Sequence, residues 1–177
     1  LKIKNVTLNE TRSGILTVLK NMGGNIEIEN RKENSGETYG DIVIRSSKLH
    51  NINIPAEIIP NIIDEIPVLS VAGIFAEGKI KIQNAAELRG KETDRIKAVC
   101  HNLNLIGLNT EEYEDGFAVS GSMGTDKVVF DSFGDHRIAM AFSILSLLLK
   151  QGGAVENFNC VGISNPRFLD QLKQING

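Results

Sequence analysis

Apolar and polar positions along this chain recur in a pattern, and internal repetition bears on the whole fold, so it is read before individual elements. Gly78 to Asn84 (GKIKIQN) and Gly153 to Asn157 (GAVEN) each run from glycine through a β-like segment to a Val/Ile-x-Asn ending, which Ile3-Lys4-Asn5 repeats. A polar loop follows each ending and leads to Arg12, Arg95 or Arg167, after which apolar residues continue at helical spacing. Two of these helices end at glycine after a leucine-rich turn, LKNMGGN and LNLIGLN, which predicts a C-cap feeding a new strand. Arg12 stands 11 positions before Gly23, and Arg95 stands 12 before Gly107.

A second repeated element precedes two of the strands. Asp64 opens DEIPVLSVAGIFAEG and Asp135 opens DHRIAMAFSILSLLLKQGG, reaching the strand-ending asparagine after 20 and 22 positions respectively. Both stretches are apolar on nearly every face, which predicts helices buried inside a domain, charged only in their first turns. The expected unit is a buried helix, a strand, a loop, a more amphipathic helix and a strand pair. Asn25 to Asn30 with Tyr39 to Arg45 is one such pair, with Arg31 to Gly40 as a polar loop. Tyr113 to Phe117 is the turn of the other. The fold class this predicts is α/β (α+β), made of repeated β-α-β-α-β-β units with buried parallel helices. Leu1 falls inside a unit, so residues 1–177 are expected to form one domain truncated at its N-terminal side.

Composition narrows the function. The 177 residues carry 41% hydrophobic and 23% charged positions with a formal charge of −3, which suits a single globular domain. No global basic field is available for nucleic acid or an anionic membrane, so an anion site must be local. The longest apolar stretch, Ile138 to Leu149, is 12 residues, short of the roughly 20 that cross a bilayer. Cys100 and Cys160 lie 60 positions apart with no Cys-x-x-Cys pattern, which indicates neither a zinc site nor a disulfide scaffold and makes a reducing cytoplasm the default.

Candidate chemistry concentrates in two places. Glu87-Leu88-Arg89-Gly90-Lys91-Glu92-Thr93-Asp94-Arg95 brings a cation, a carboxylate and a guanidinium to a helix N-terminus, whose N–H groups favour phosphate or carboxylate. The alternative is that Thr93 or Asp94 caps the helix while the charges form solvated pairs. Asp135-His136-Arg137 heads a helix otherwise almost free of charge. Arg137 there either forks onto an anion or pairs with a nearby acid, with Asp135 as N-cap. Asp64, with Glu65 beside it, is either a general base tuned by its apolar helix or an ordinary first-turn acid. His136 alone is a weak candidate catalyst. The two cysteines read as packing residues, and Gly23-Gly24 and Gly152-Gly153 as turns.

Together, Lys91-Glu92-Thr93-Asp94-Arg95 behind Glu87-Leu88-Arg89, and Asp135-His136-Arg137-Ile138-Ala139-Met140, resemble the signature pair of the 5-enolpyruvylshikimate-3-phosphate synthase family (3-phosphoshikimate 1-carboxyvinyltransferases). Pro60 to Gly78 and Asn165-Pro166-Arg167-Phe168 extend the resemblance to the C-terminal portion of that family. The resemblance implies two domains of an enolpyruvyl transferase-like inside-out α/β barrel closing like a clamshell, of which one is here. It implies transfer of the enolpyruvyl group of phosphoenolpyruvate to the 5-hydroxyl of shikimate 3-phosphate with release of phosphate, for aromatic amino-acid biosynthesis. It also implies no cofactor or metal, a cytoplasmic location, and a monomer completed by the missing N-terminal domain, without which the chain is expected to be inactive.

By the same resemblance, Asp64 is the general base and holds the shikimate ring, and Glu92 is the acid-base partner at the methylene carbon. Lys91 contacts the shikimate phosphate and can serve both substrates, while Arg95 and Arg137 clamp phosphoenolpyruvate. Converging helix N-termini would then form one electropositive site. Ile163 and Asn165 replace a lysine and an aromatic common in the family's last loop, and Glu87 replaces an asparagine, so no substrate contact carries over to these positions. The related transferase acting on a UDP-linked N-acetylglucosamine, and a non-catalytic binding domain on the same fold, are the alternatives.

Overall fold

In the computed structural model, which describes residues 1–176, the repeat seen in the sequence is a repeat of backbone conformation. Strands β1 (Lys2–Thr7), β2 (Asn25–Asn34) and β3 (Glu37–Arg45) form one antiparallel sheet in the order β1-β3-β2, with α1 (Gly14–Asn21) between β1 and β2. After α2 (Ile66–Ile74), the strands β4 (Ile80–Ile82), β5 (Asn109–Tyr113) and β6 (Gly116–Ser120) repeat the plan as β4-β6-β5, with α3 (Arg95–Leu105) in the position of α1. The third unit has β7 (Val128–Asp131) and β8 (Gly153–Glu156) as a parallel pair joined by α4 (His136–Leu148), followed by α5 (Val161–Ser164) and α6 (Phe168–Asn176).

The recurrent asparagine has a conformational cause. Asn5, Asn84 and Asn157 adopt φ of 55°, 59° and 52°, the left-handed region in which asparagine is enriched among residues with a side chain. The Asn5 N–H donates to Asp41 Oδ1 at 2.9 Å, and the Asn84 N–H donates to Asp115 Oδ2 at 2.7 Å. An aspartate of each hairpin thus fastens this left-handed residue, which is a bulge within β1 in the first unit and follows the end of β4 in the second. Gly23 and Gly107, at φ +95° and +85°, follow the helix ends predicted for them.

Several elements differ from the sequence expectation. Arg31 to Gly40 is not a loop: β2 runs to Asn34, β3 starts at Glu37, and Ser35-Gly36, both at positive φ, make the two-residue turn. Its polarity reflects exposure of both faces of the outer hairpin, not irregular backbone. Helix α2 begins at Ile66, so Asp64 lies in the turn before it. Helix α3, expected to be amphipathic, buries seven of its eleven residues. The polar residues that suggested an exposed face, Arg95 and Asn102, lie inside with their bonds made. The Asn102 side chain donates to Asp131 O at 2.8 Å and accepts from Asp131 N at 2.9 Å, standing in for a strand partner beside β7. Helix α4 is buried along its middle but leaves Leu147 and Leu148 exposed at its end.

One apolar cluster joins α2, α3 and α4 with β4, β6 and β7 through Leu69, Ile82, Leu103, Phe117, Phe130 and Phe142. Because the three helices pack on one another, their N-terminal turns come together at one end of this core.

Close backbone approach explains Gly116. A Cβ there would sit 2.0 Å from the carbonyl oxygen of Ile82 in the paired strand. Gly116→Ala is therefore expected to cost about 2 kcal/mol or more of stability. Urea denaturation measures this, and a loss under about 0.5 kcal/mol would contradict the packing.

Candidate active site

Three segments that precede or cap buried helices supply the charged side chains. Asp64 and Glu65 lead into α2, the loop 91–94 leads into α3, and Asp135 to Arg137 open α4. Caps fix two of these entries. Asp94 accepts from the Lys97 N–H at 3.0 Å, and Asp135 accepts from the N–H groups of Arg137 at 2.7 Å and Ile138 at 3.3 Å. Of the two cap candidates before α3, Asp94 is the one used.

Arg95 sits at the centre, with its side chain only 1% exposed. Its Nε donates to Asp135 Oδ2 at 2.7 Å, its Nη1 to Asp64 Oδ1 at 3.0 Å and its Nη2 to Glu92 Oε2 at 2.6 Å. The fork thereby ties together residues from the entries of all three helices. Arg137, at the rim, reaches Asp64 Oδ2 at 3.1 Å and Glu65 Oε1 at 3.6 Å, and donates from Nη1 to the Asp64 carbonyl at 3.2 Å. Lys91 pairs with Glu87, and His136 Nδ1 lies 3.9 Å from Glu92 Oε1. Of the five site residues singled out from the sequence, Asp64, Glu92, Arg95 and Arg137 therefore meet in one ion-pair cluster, with Asp135 as a further member, while Lys91 is paired with Glu87 and acts on Asp64 only through its charge.

Electrostatically the arrangement differs from the expected electropositive wall. Lys91, Arg95 and Arg137 each have a carboxylate partner, and Asp64, Glu65, Glu87, Glu92 and Asp135 outnumber them. Burial is the cause: a guanidinium taken out of water needs counter-charges with good geometry. For Asp64, burial pushes the carboxyl up, but the charges of Arg137 and Arg95 outweigh it, and the group ends below its ordinary range. For Glu65, burial dominates and Asp64 adds repulsion against the pull of Arg137, so its carboxyl ends above the ordinary range. Burial would also lower Arg95, yet Asp135, Glu92 and Asp64 more than restore its charge.

The deeper role of Asp135 was hidden in the sequence. It reads there as a helix cap, which it is, but its second oxygen also anchors Arg95 from 40 positions away. Burial pushes the Cys100 thiol up to about 11, in keeping with a packing role. Arg12 and Arg167 stand before α1 and α6 as the repeat predicts, but both are exposed and neither joins the ion pairs around Arg95. Ile163 lies exposed on α5. Among the described residues, no group of three or more His, Cys, Asp or Glu side chains is placed to hold a metal, and no helix is long and apolar enough to cross a membrane. A cavity of about 190 Å³ opens beneath Asp64, Glu65 and Arg137, walled by Val68, Ile144 and Phe168.

The family model described as EPSP synthase (3-phosphoshikimate 1-carboxyvinyltransferase) matches residues 1–172. The chain is 45% identical over 176 residues to the 3-phosphoshikimate 1-carboxyvinyltransferase of Petrotoga mobilis, a match covering 99% of this chain and 41% of that protein. It is also 45% identical over 175 residues to the protein of that name from Carboxydothermus hydrogenoformans, with the same coverage. A solved structure of EPSP synthase from Acinetobacter baumannii superposes with a TM-score of 0.91 at 33% identity, over 98% of this chain and 41% of that one. The chain thus spans about two-fifths of the length of the relatives it matches.

Two stability predictions follow from the ion-pair network. Arg95→Ala leaves Asp135 buried without its counter-charge and is expected to cost about 3–5 kcal/mol by urea denaturation. A loss below about 1 kcal/mol, the range of an exposed pair, would contradict the central position of Arg95. Asp64 has a depressed folded-state pKa, so its contribution is present above the ordinary carboxylate value near 3.8 and is lost as pH falls through the folded value. The stability difference between the native chain and Asp64→Asn should accordingly be largest near neutral pH and shrink as acid protonates Asp64. An equal difference at both extremes would contradict this sign.

Proposed function

Because the chain belongs to the EPSP synthase family, we propose that it contributes one wall of an active site that transfers the enolpyruvyl group of phosphoenolpyruvate to the 5-hydroxyl of shikimate 3-phosphate. The observation that carries this is that the Asp64 and Glu92 carboxylates bind the same guanidinium, Arg95, at 3.0 and 2.6 Å. A base and an acid are thereby held close together, around a group suited to an anionic substrate.

In this reading Asp64 accepts the proton of the 5-hydroxyl while Glu92 protonates the methylene carbon of phosphoenolpyruvate. The second carbon becomes cationic, the acceptor oxygen bonds to it, and a tetrahedral ketal forms. Phosphate leaves with the proton that Asp64 took from the 5-hydroxyl, and a proton of the new methyl group returns to Glu92, which restores the methylene and completes the transfer. Arg95 and Arg137 orient phosphoenolpyruvate, and Lys91 meets the shikimate phosphate. An incoming carboxylate or phosphate competes for the guanidinium N–H groups now held by Asp64 and Glu92. Substrate binding then frees Asp64 as a carboxylate able to take a proton and, by parting Glu92 from Arg95, lets Glu92 gain the proton that it delivers to carbon, so the compensated charge becomes part of the chemistry.

The chain is read as one domain, the C-terminal one, of a two-domain, monomeric, cytoplasmic enzyme. Its companion domain supplies the opposite wall of the cleft, and residues 1–177 alone do not turn over substrate. Phosphate release by the full-length protein tests the reaction, with shikimate 3-phosphate and the UDP-linked amino sugar as competing acceptors. Activity with the amino sugar alone would refute the acceptor named here. Glu92→Gln and Asp64→Asn are expected to lower kcat by about 10²–10⁴-fold, the scale of lost general acid-base catalysis. Arg137→Ala is expected chiefly to raise KM for phosphoenolpyruvate, and the opposite division of effects would contradict these roles.

A further inference from the structure

The loop bearing Lys91 and Glu92 has little local structure of its own. A 3₁₀ turn covers Ala86–Gly90, and the next three residues belong to no helix or strand. Leu88, fully buried, anchors its start, and the cap residue Asp94 anchors its end. Between them a Cβ built on Gly90 would meet nothing within 4 Å, and the segment is held by ion pairs, Lys91 to Glu87 and Glu92 to Arg95.

One side chain crosses from this loop to the neighbouring hairpin. Arg89 Nε donates to the Glu114 carbonyl at 2.8 Å, in the turn between β5 and β6, and Nη2 to the Tyr113 carbonyl at 2.5 Å, at the end of β5. Nη2 also pairs with Glu112 Oε1 at 2.9 Å, and Nη1 donates to Asp94 Oδ2 at 2.6 Å. Asp94 spends its other oxygen on the first turn of α3. A single planar fork therefore fixes the loop to the hairpin on one side and to the helix cap on the other.

We propose that Arg89 is the positioning residue that sets where Lys91 and Glu92 face, acting through the hairpin turn and the Asp94 cap without touching substrate. This rests on the roles given above to Lys91 and Glu92. Lysine cannot replace it, because a compact ammonium at one point does not span acceptors on both sides of the loop. Arg95 shares one bond with Glu92 but keeps its bonds to Asp135 and Asp64 outside the loop, so loosening the loop acts first on Lys91 and Glu92 and less on the guanidinium that orients phosphoenolpyruvate.

The test is Arg89→Lys, with Arg89→Ala beside it, in the full-length protein, read by phosphate release and amide hydrogen exchange. Exchange at Gly90 to Thr93 is expected to quicken about tenfold or more while α4 keeps its protection, as for a local opening. A kcat drop of about tenfold or more and a raised KM for shikimate 3-phosphate are expected, with KM for phosphoenolpyruvate within about twofold. Unchanged loop exchange in Arg89→Lys would overturn the proposal. So would kinetic constants all near those of the native enzyme, or equal losses for both substrates. Should the native protein release no phosphate from this substrate pair, the proposed reaction fails on its own, and loop exchange still decides the role of Arg89.

Discussion

A guanidinium buried to 1% exposure cannot stay charged without partners, and that requirement at Arg95 organises the site end of the molecule. Its three nitrogens engage Asp135, Asp64 and Glu92, which belong to the entries of three different helices. Those helices are already packed through the apolar core, so the ion network does not assemble them. It fixes how their first turns stand relative to one another. Asp135 makes the arrangement stiff by serving two masters, capping α4 with one oxygen and holding Arg95 mainly with the other. Moving either helix entry would break a cap or strand a charge.

The repeat explains why the charged residues arrive at one end. Each of the first two units carries an asparagine in the left-handed conformation late in or just after its first strand, tied by its N–H to an aspartate of the hairpin, and sends the chain into a polar loop before a helix. Repeating that geometry brings loops and helix starts to comparable places. The first unit's loop carries Arg12 without joining the network, whereas the second carries Lys91, Glu92 and Arg95. Function is therefore unevenly distributed over a regular scaffold, as when sites are grafted onto folds.

The charged residues that gather around Arg95 stood out in advance because charged side chains beside almost uncharged helical stretches are conspicuous in sequence. Asp64 and Arg137 stood out for that reason, and the Lys91 to Arg95 run for its density. Their partners were not readable. Asp135 as a counter-charge to Arg95, Glu65 beside Arg137, and Arg89 bound to carbonyls of a distant turn all depend on contacts between residues more than 20 positions apart. Burial misled in the same way at α3, where Arg95 and Asn102 resembled an exposed polar face. Only their satisfied bonds make them interior residues.

The sequence by itself determined the α/β class, the period of the repeat, the glycine and asparagine positions that bend the backbone, and the identity of the charged residues at the helix starts. These are local properties, set by side-chain periodicity and by which residues tolerate positive φ. The tertiary structure decided the pairing. It turned a predicted electropositive wall into a charge-compensated cluster, because burying Arg95 requires carboxylates that the chain supplies from distant segments. It also made strands of an apparent loop, because pairing across a two-residue turn satisfies backbone hydrogen bonds regardless of how polar the side chains are.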